Sequence, residues 1–387
     1  MSGEPHGELD STVHRDRRPA IVAVALACAG GVAGCGSSGS STTTYHFPDA
    51  GPTDAGHAHD ATRAPADAHR APVDATPSSD VSSEPRCTPH GGTVALSLHA
   101  DPLDYGILVD TAAVYYFGLA ADAGQVAGDL RSVNKDGTGD TELTITNAQS
   151  LTEDDTYLYW GGYDAAFTVG VFRFAKAGGP AELLAPLNEL DPQTIVVAGG
   201  SVYWTAGVHE DAAIPYELLK APLDGGAASI VVPGPVSSTP QLCGTDGQNL
   251  YWAEPPGHLY AQPLAGGSPQ ELAPQLMGVQ AFDVDDGVLY VNANDGLYAL
   301  PTAGGAPRLL AESVGAARIA HNATDVYVEQ LFQSRIVKVP KKGGTLTTVV
   351  SGRTVGSAAF GVDSDCVYWI GPGNDGAVSV PLYKAPN

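Results

Sequence analysis

The chain is poor in the residues that build large cores and most active sites: 387 residues contain 2 Met, 8 Phe, 4 Trp and 5 Cys. No apolar run reaches the ~20 residues that cross a bilayer as a helix. Lys and Arg number 19 against 43 Asp and Glu, a formal charge of -24. Such a surface repels phosphate backbones, which excludes nucleic acid as a partner. Also missing are a Gly-x-Ser-x-Gly elbow, histidines paired at metal-ligand spacing and a phosphate-cradling glycine loop. No metal and no cofactor is implied. What the chain has in quantity is 47 Gly and 29 Pro, which point to many short strands and turns.

Arg15, Arg17 and Arg18 precede an apolar stretch, Ala20 to Ala33. A basic start followed by an apolar core of this length predicts an export signal. The stretch ends Val32-Ala33-Gly34-Cys35, which resembles the lipobox of bacterial lipoproteins. That resemblance implies a leader over residues 1–34, a diacylglyceryl group on Cys35 and a membrane anchor in the cell envelope. Gly36, rather than an acidic residue, follows the cysteine, which is compatible with passage to the outer membrane.

Residues 35–86 then read as a tether, first Ser/Thr-rich and then a loose Asp-Ala-Pro pattern such as Pro72-Val73-Asp74-Ala75. So few large apolar side chains cannot offset the entropy of ordering, so the segment is expected to be disordered. About 50 flexible residues reach roughly 35–45 Å. His46, His57, His59 and His69 lie within it at irregular spacing and read as solvated spacer residues.

Residues 87–387 repeat. Tyr115, Tyr159, Tyr203, Tyr251, Tyr290, Tyr327 and Tyr368 recur every 37 to 48 residues, each after an apolar residue in a β-prone run. Five residues before the tyrosine stand Asp110, Asp154, Asp246, Asp285 and Asp363, with Asn322 in the sixth unit and Ala198 in the third. Later in each unit from the second to the sixth comes a Gly-Gly pair, the residues that supply the positive φ of tight hairpins. A period near 40 built only of strands is the spacing of propeller blades. The fold expected is all-β, a seven-bladed β-propeller with six blades as the alternative.

Val202-Tyr203-Trp204-Thr205 and Leu223-Asp224-Gly225 resemble the YWTD repeat of low-density-lipoprotein-receptor-type propellers. The resemblance spans about residues 93–387 and implies the fold without a particular ligand. The last unit offers one strand after its Tyr-Trp strand, Ala377 to Tyr383, and no further one. Thr93 to Leu98 is β-prone and precedes the first inner strand, Ile107 to Val109, so it is expected to complete blade seven and remove an exposed edge. In an exported protein, Cys87, Cys243 and Cys366 remain after Cys28 leaves with the leader and Cys35 takes lipid. Cys87 and Cys366 fall at the same end of that last blade and are expected to pair.

Most candidate chemistry sits on turns that recur in most units. Asp283, Asp285, Asp286 and Gly287 resemble a calcium loop, as do Asn134, Asp136, Gly137, Gly139 and Asp140. Both sets fall on hairpin turns and read as turn residues. Ten residues before the tyrosine, units two to five carry Gln149, Gln193, Gln241 and Gln280, while unit one carries Tyr105. This position opens the innermost strand, where amides can hydrogen-bond a polar ligand, and Arg318 lies next to it in unit six. The function expected is a lipid-anchored monomeric propeller that binds an envelope protein or a small polar ligand. The alternative is a propeller enzyme, a metal-dependent lactonase-like hydrolase or lyase.

Overall fold

The computed structural model describes residue 87 and residues 93–100, 106–119, 128–187, 190–208, 216–236, 241–254, 257–293, 296–312, 314–315, 318–330, 333–352, 359–371 and 380–387. Cys35, the leader and the tether lie outside the described residues.

The described chain is all-β and divides into seven four-stranded antiparallel units. The first comprises Ile107–Val109, Ala113–Leu119, Gly128–Asn134 and the start of Thr141–Glu153. The same long strand continues as the inner strand of the second, with Tyr157–Asp164, Val169–Ala175 and Glu182–Pro186. Units three and four are Leu190–Ala198, Ser201–Val208, Tyr216–Pro222 and Ser229–Val236, then Gln241–Thr245, Asn249–Glu254, His258–Pro263 and Gln270–Leu272. Units five and six are Ala281–Asp285, Val288–Ala293, Gly296–Pro301 and Arg308–Glu312, then Arg318–His321, Asp325–Gln330, Arg335–Pro340 and Thr347–Ser351. The seventh holds Phe360–Val362, Cys366–Ile370, Val380–Pro386 and, from the other end of the chain, Val94–Ala100.

The inner strands meet one another in chain order, and the seventh returns to the first, so they enclose a channel. Closure rests on the strand from the N-terminal side: Val94 pairs with Lys384, Ala95 with Tyr383 and Ser97 with Leu382. Cys87 and Cys366 are joined by a disulfide beside it.

Each unit alternates in the manner that a two-sided strand requires. The tyrosine of the second strand packs on one face of its sheet, and the residue after it, Trp160, Trp204, Trp252 or Trp369 in four units, packs on the other. All four tryptophans are fully buried, three of them stacked on an aromatic of the third strand: Phe172, Tyr260 and Tyr383. The core is therefore a succession of seams between neighbouring sheets rather than one centre.

A crosslink between residues 279 apart in sequence restricts the unfolded chain strongly. Replacing Cys87 and Cys366 together by Ala is expected to lower stability by about 3–5 kcal/mol in denaturant titrations. Non-reducing peptide mapping is expected to recover the two as one species, and a bridge from Cys243 to either would contradict this register.

Candidate functional site

The inner hairpins have two ends, and they are built differently. At the turn end, in five of the seven units, stands the acidic residue five before the tyrosine. In unit two, Oδ1 of Asp154 accepts the amides of Thr156 and Tyr157, while Oδ2 accepts the hydroxyl of Tyr159 at 2.7 Å. Asp246 does the same for Gln248, Asn249 and Tyr251, and Asp363 for Asp365, Cys366 and Tyr368. In unit six Asn322 keeps the turn contacts and donates to Tyr327. One short side chain thus closes the turn and holds the tyrosine in the seam.

At three seams a lysine just after the third strand of the next unit reaches back to this carboxylate. Lys135 meets Asp363 at 2.8 Å, Lys176 meets Asp110 at 3.4 Å, and Lys341 meets Asp285. Each ammonium also lies over the tyrosine ring it passes, Tyr368, Tyr115 or Tyr290. Burial alone raises these carboxyls, but the turn amides and the lysine outweigh it, so Asp110 and Asp363 ionise below the ordinary carboxylate range. Burial first, and then the Asp285 charge, push Tyr290 up to about 12. At the seam between units three and four, Ala198 takes the place of the acid and the contact is apolar, with Tyr203 against Leu250 and Leu264.

A recess of about 1280 Å³ opens on this turn end beside units seven, one and two, lined by Asp110, Lys135, Asp154, Lys176 and Asp363 among others. Its walls include the seam groups Asp110, Lys135, Lys176 and Asp363 together with Asp136, Asp155 and Asp365. The residues that resemble calcium loops are spent in the same way. His321 lies 2.7 Å from Asp283 and 3.4 Å from Asp285, and Lys341 occupies the second oxygen of Asp285. Asp136 accepts from Thr138, while Asp140 accepts from Ser97, Tyr116 and Arg131. Among the described residues no three His, Cys, Asp or Glu are placed to hold a metal.

Ser97, His99 and Asp140 bring a hydroxyl, an imidazole and a carboxylate together, but the carboxylate is in the middle. Ser97 donates to Asp140 at 2.6 Å, and His99 Nδ1 lies 3.0 Å from the same oxygen. A serine that gives its proton to a carboxylate is not aligned for attack. The knot instead fastens the closing strand to unit one.

The loop end carries the glutamines. Gln280 is exposed, its Oε1 accepts from Asn292 at 3.2 Å and its backbone N–H donates to the Asn292 backbone carbonyl. The sequence places these residues at the opening of the inner strand, which holds for Gln241 alone. Gln280 lies one residue before its strand, and Gln149 and Gln193 lie inside longer strands, each at a β-bulge. There two residues oppose one, because units two and three carry inner hairpins that continue to Thr146–Asp164 and Leu190–Val208. The side chains of Gln149, Gln193, Gln241 and Cys243, and all of Tyr105, lie outside the described residues.

Arg318 opens the inner strand of unit six, opposite Glu329 on the second strand. Glu329 is 2% exposed, and its Oε2 has no hydrogen-bond partner among the described residues. Burial pushes its carboxyl up to about 7 against the pull of Arg318. Sequence reasoning passed over it, although the signal was present. Two residues after the tyrosine the other units carry Phe117, Gly161, Thr205, Ala253, Asn292 and Ile370, and only this one carries a charge.

No protein-family model matches the chain and no curated protein matches it. Solved structures do. It is similar to a puromycin-hydrolyzing peptidase of Mycobacterium tuberculosis at 15% identity and a TM-score of 0.56, over 73% of this chain and 50% of the peptidase. The chain therefore spans about half the length of that protein. It is similar to the WD40 β-propeller domain of Doa1 at 13% identity and a TM-score of 0.51, over 76% of this chain and 96% of that domain. An oligogalacturonate lyase of Vibrio parahaemolyticus matches at 8% identity and a TM-score of 0.52, over 76% of this chain and 93% of the lyase. At such identities the likeness is one of fold, and the fold is a β-propeller.

The imidazole of His321 fixes one pH dependence. Burial alone lowers its pKa, but the hydrogen bond and charge of Asp283 and the charge of Asp285 outweigh burial and raise it above the ordinary 6.5. A raised histidine contributes its stability fully below the unfolded value and loses it as pH rises through the folded one. The melting temperature of the native protein is expected to exceed that of His321→Gln at about pH 6, with the gap closing by about pH 9. A gap that widens with pH would reverse the assignment.

Proposed function

We propose that this chain is a tethered binding module of the cell envelope, anchored by lipid on Cys35 and held off the membrane by residues 36–86. Its ligand site is the loop end of the channel, where it takes a small polar ligand or an envelope protein without chemistry. The observation that carries this reading is the register of the inner strands. Four consecutive units bring a glutamine to the loop end, and in two of them a β-bulge stands at that residue. Bulges re-aim side chains and gather beside functional sites. The opposite end supports the same reading, because the lysine–carboxylate pairs there already hold the seams. An enzyme of this class needs convergent ligands or a nucleophile with its base. Fold likeness extends to enzymes and to a repeat propeller alike, so it does not decide between them.

Two measurements check the proposal. Cys35→Ser is expected to move the protein from the membrane fraction to the soluble fraction, and retention in membranes would remove the anchor. Gln193→Ala with Gln241→Ala is expected to weaken binding to a panel of envelope glycans and metabolites about tenfold or more, leaving the melting temperature within about 2 °C. A large fall in melting temperature with binding intact would make the amides a structural seam.

A further inference from the structure

The hairpin between the second and third strands of unit two extends further than those of units four to six among the described residues. Its pairing runs to Tyr163 and Val169, four residues past the tyrosine, and the Asp164 amide then donates to the Thr168 carbonyl, whereas in units four, five and six the pairing ends three residues past. Its tip is the turn from Asp164 to Thr168. At that tip Phe167 is 84% exposed, the most exposed large apolar side chain among the described residues. Its backbone is also left-handed, with φ of 61°. An aromatic residue in that region is sterically costly, and so is a phenyl ring held in water.

Nothing about the turn is loose. The Phe167 amide donates to the Asp164 carbonyl at 3.0 Å, and the Asp164 amide donates to the Thr168 carbonyl at 3.1 Å. Asp164 Oδ1 accepts the amides of Ala166 and Thr168, both at 2.8 Å. A glycine would satisfy this turn without strain. The chain instead places a ring there. On the inner strand, Asn147 pairs with Tyr163 and is exposed, and Gln149 follows it two residues down toward the channel.

We propose that Phe167 and Asn147 form the outer subsite for a neutral sugar chain that runs from the tip of this hairpin toward the glutamines. The inference rests on the binding-module reading and names its ligand class. A phenyl face carries partial negative charge and the C–H face of a pyranose partial positive charge, so the two stack. Amides supply both donors and acceptors to hydroxyls. A formal charge of -24 disfavours an acidic chain.

The test is calorimetric titration of the exported protein with chitohexaose, cellohexaose and maltohexaose, and with an oligogalacturonate as the charged control. The native protein is expected to bind at least one neutral chain and not the control. Phe167→Ala is expected to weaken that binding about tenfold or more, with Phe167→Trp within about threefold of native. Phe167→Gly is expected to lose binding and yet melt at a higher temperature, which a structural role for the ring would not allow. Native protein that binds none of the neutral chains overturns the inference, as does equal binding by Phe167→Ala. Adsorption to phosphatidylcholine vesicles that depends on Phe167, without sugar binding, assigns the ring to a membrane and also overturns it. Sugar binding lost in the Gln193, Gln241 double variant but kept in Phe167→Ala sinks this subsite alone and leaves the binding module standing.

Discussion

One carboxylate, repeated around the ring, organises the turn end of this protein. Five residues before the seam tyrosine, a single aspartate closes its hairpin with one oxygen and fixes the tyrosine with the other. At three seams the same group receives a lysine from the next unit. Local turn, packing of the seam and attachment of the neighbour therefore share one ionised side chain. The seam that joins the two ends of the chain is of this kind: Lys135 binds Asp363, and the buried Lys384 donates to the Lys135 carbonyl.

That economy divides the molecule. A carboxylate bound by two amides, a phenol and an ammonium has little left to offer a metal or substrate, so the acidity of the turn end belongs to the architecture. The loop end is different. It gathers polar residues at the inner strands, a half-exposed arginine opposite a buried acid, and a longer hairpin tipped by an aromatic ring. Burial raises the Glu329 carboxyl to about 7, and Arg318 is what keeps it from rising further.

Much of this was legible in the chain of residues. The spacing of the seven tyrosines marks the second strand of each unit, and the Gly-Gly pairs mark the turns before the outer strands. The inner strand from Ile107 to Val109 lies where the β-prone run placed it, while the closing strand is Val94–Ala100, two residues longer at its end than the run Thr93 to Leu98 suggests. Other features depend on contacts that no local pattern encodes. Lys176 and Asp110 are 66 residues apart, and only the stacking of units makes them partners. The bulges at Gln149 and Gln193 arise from how far each hairpin extends, which composition does not report. Phe167 looks like an ordinary apolar residue until its turn is known to sit at a rim.

The claim that the turn-end acids hold the ring is tested most directly by a double-mutant cycle on Asp110 and Lys176, with Asp110→Asn and Lys176→Met made singly and together and unfolded in urea. A seam latch predicts a coupling of about 1 kcal/mol or more between residues of different units. Strict additivity, to within about 0.3 kcal/mol, would show that the contact holds nothing and would contradict the account.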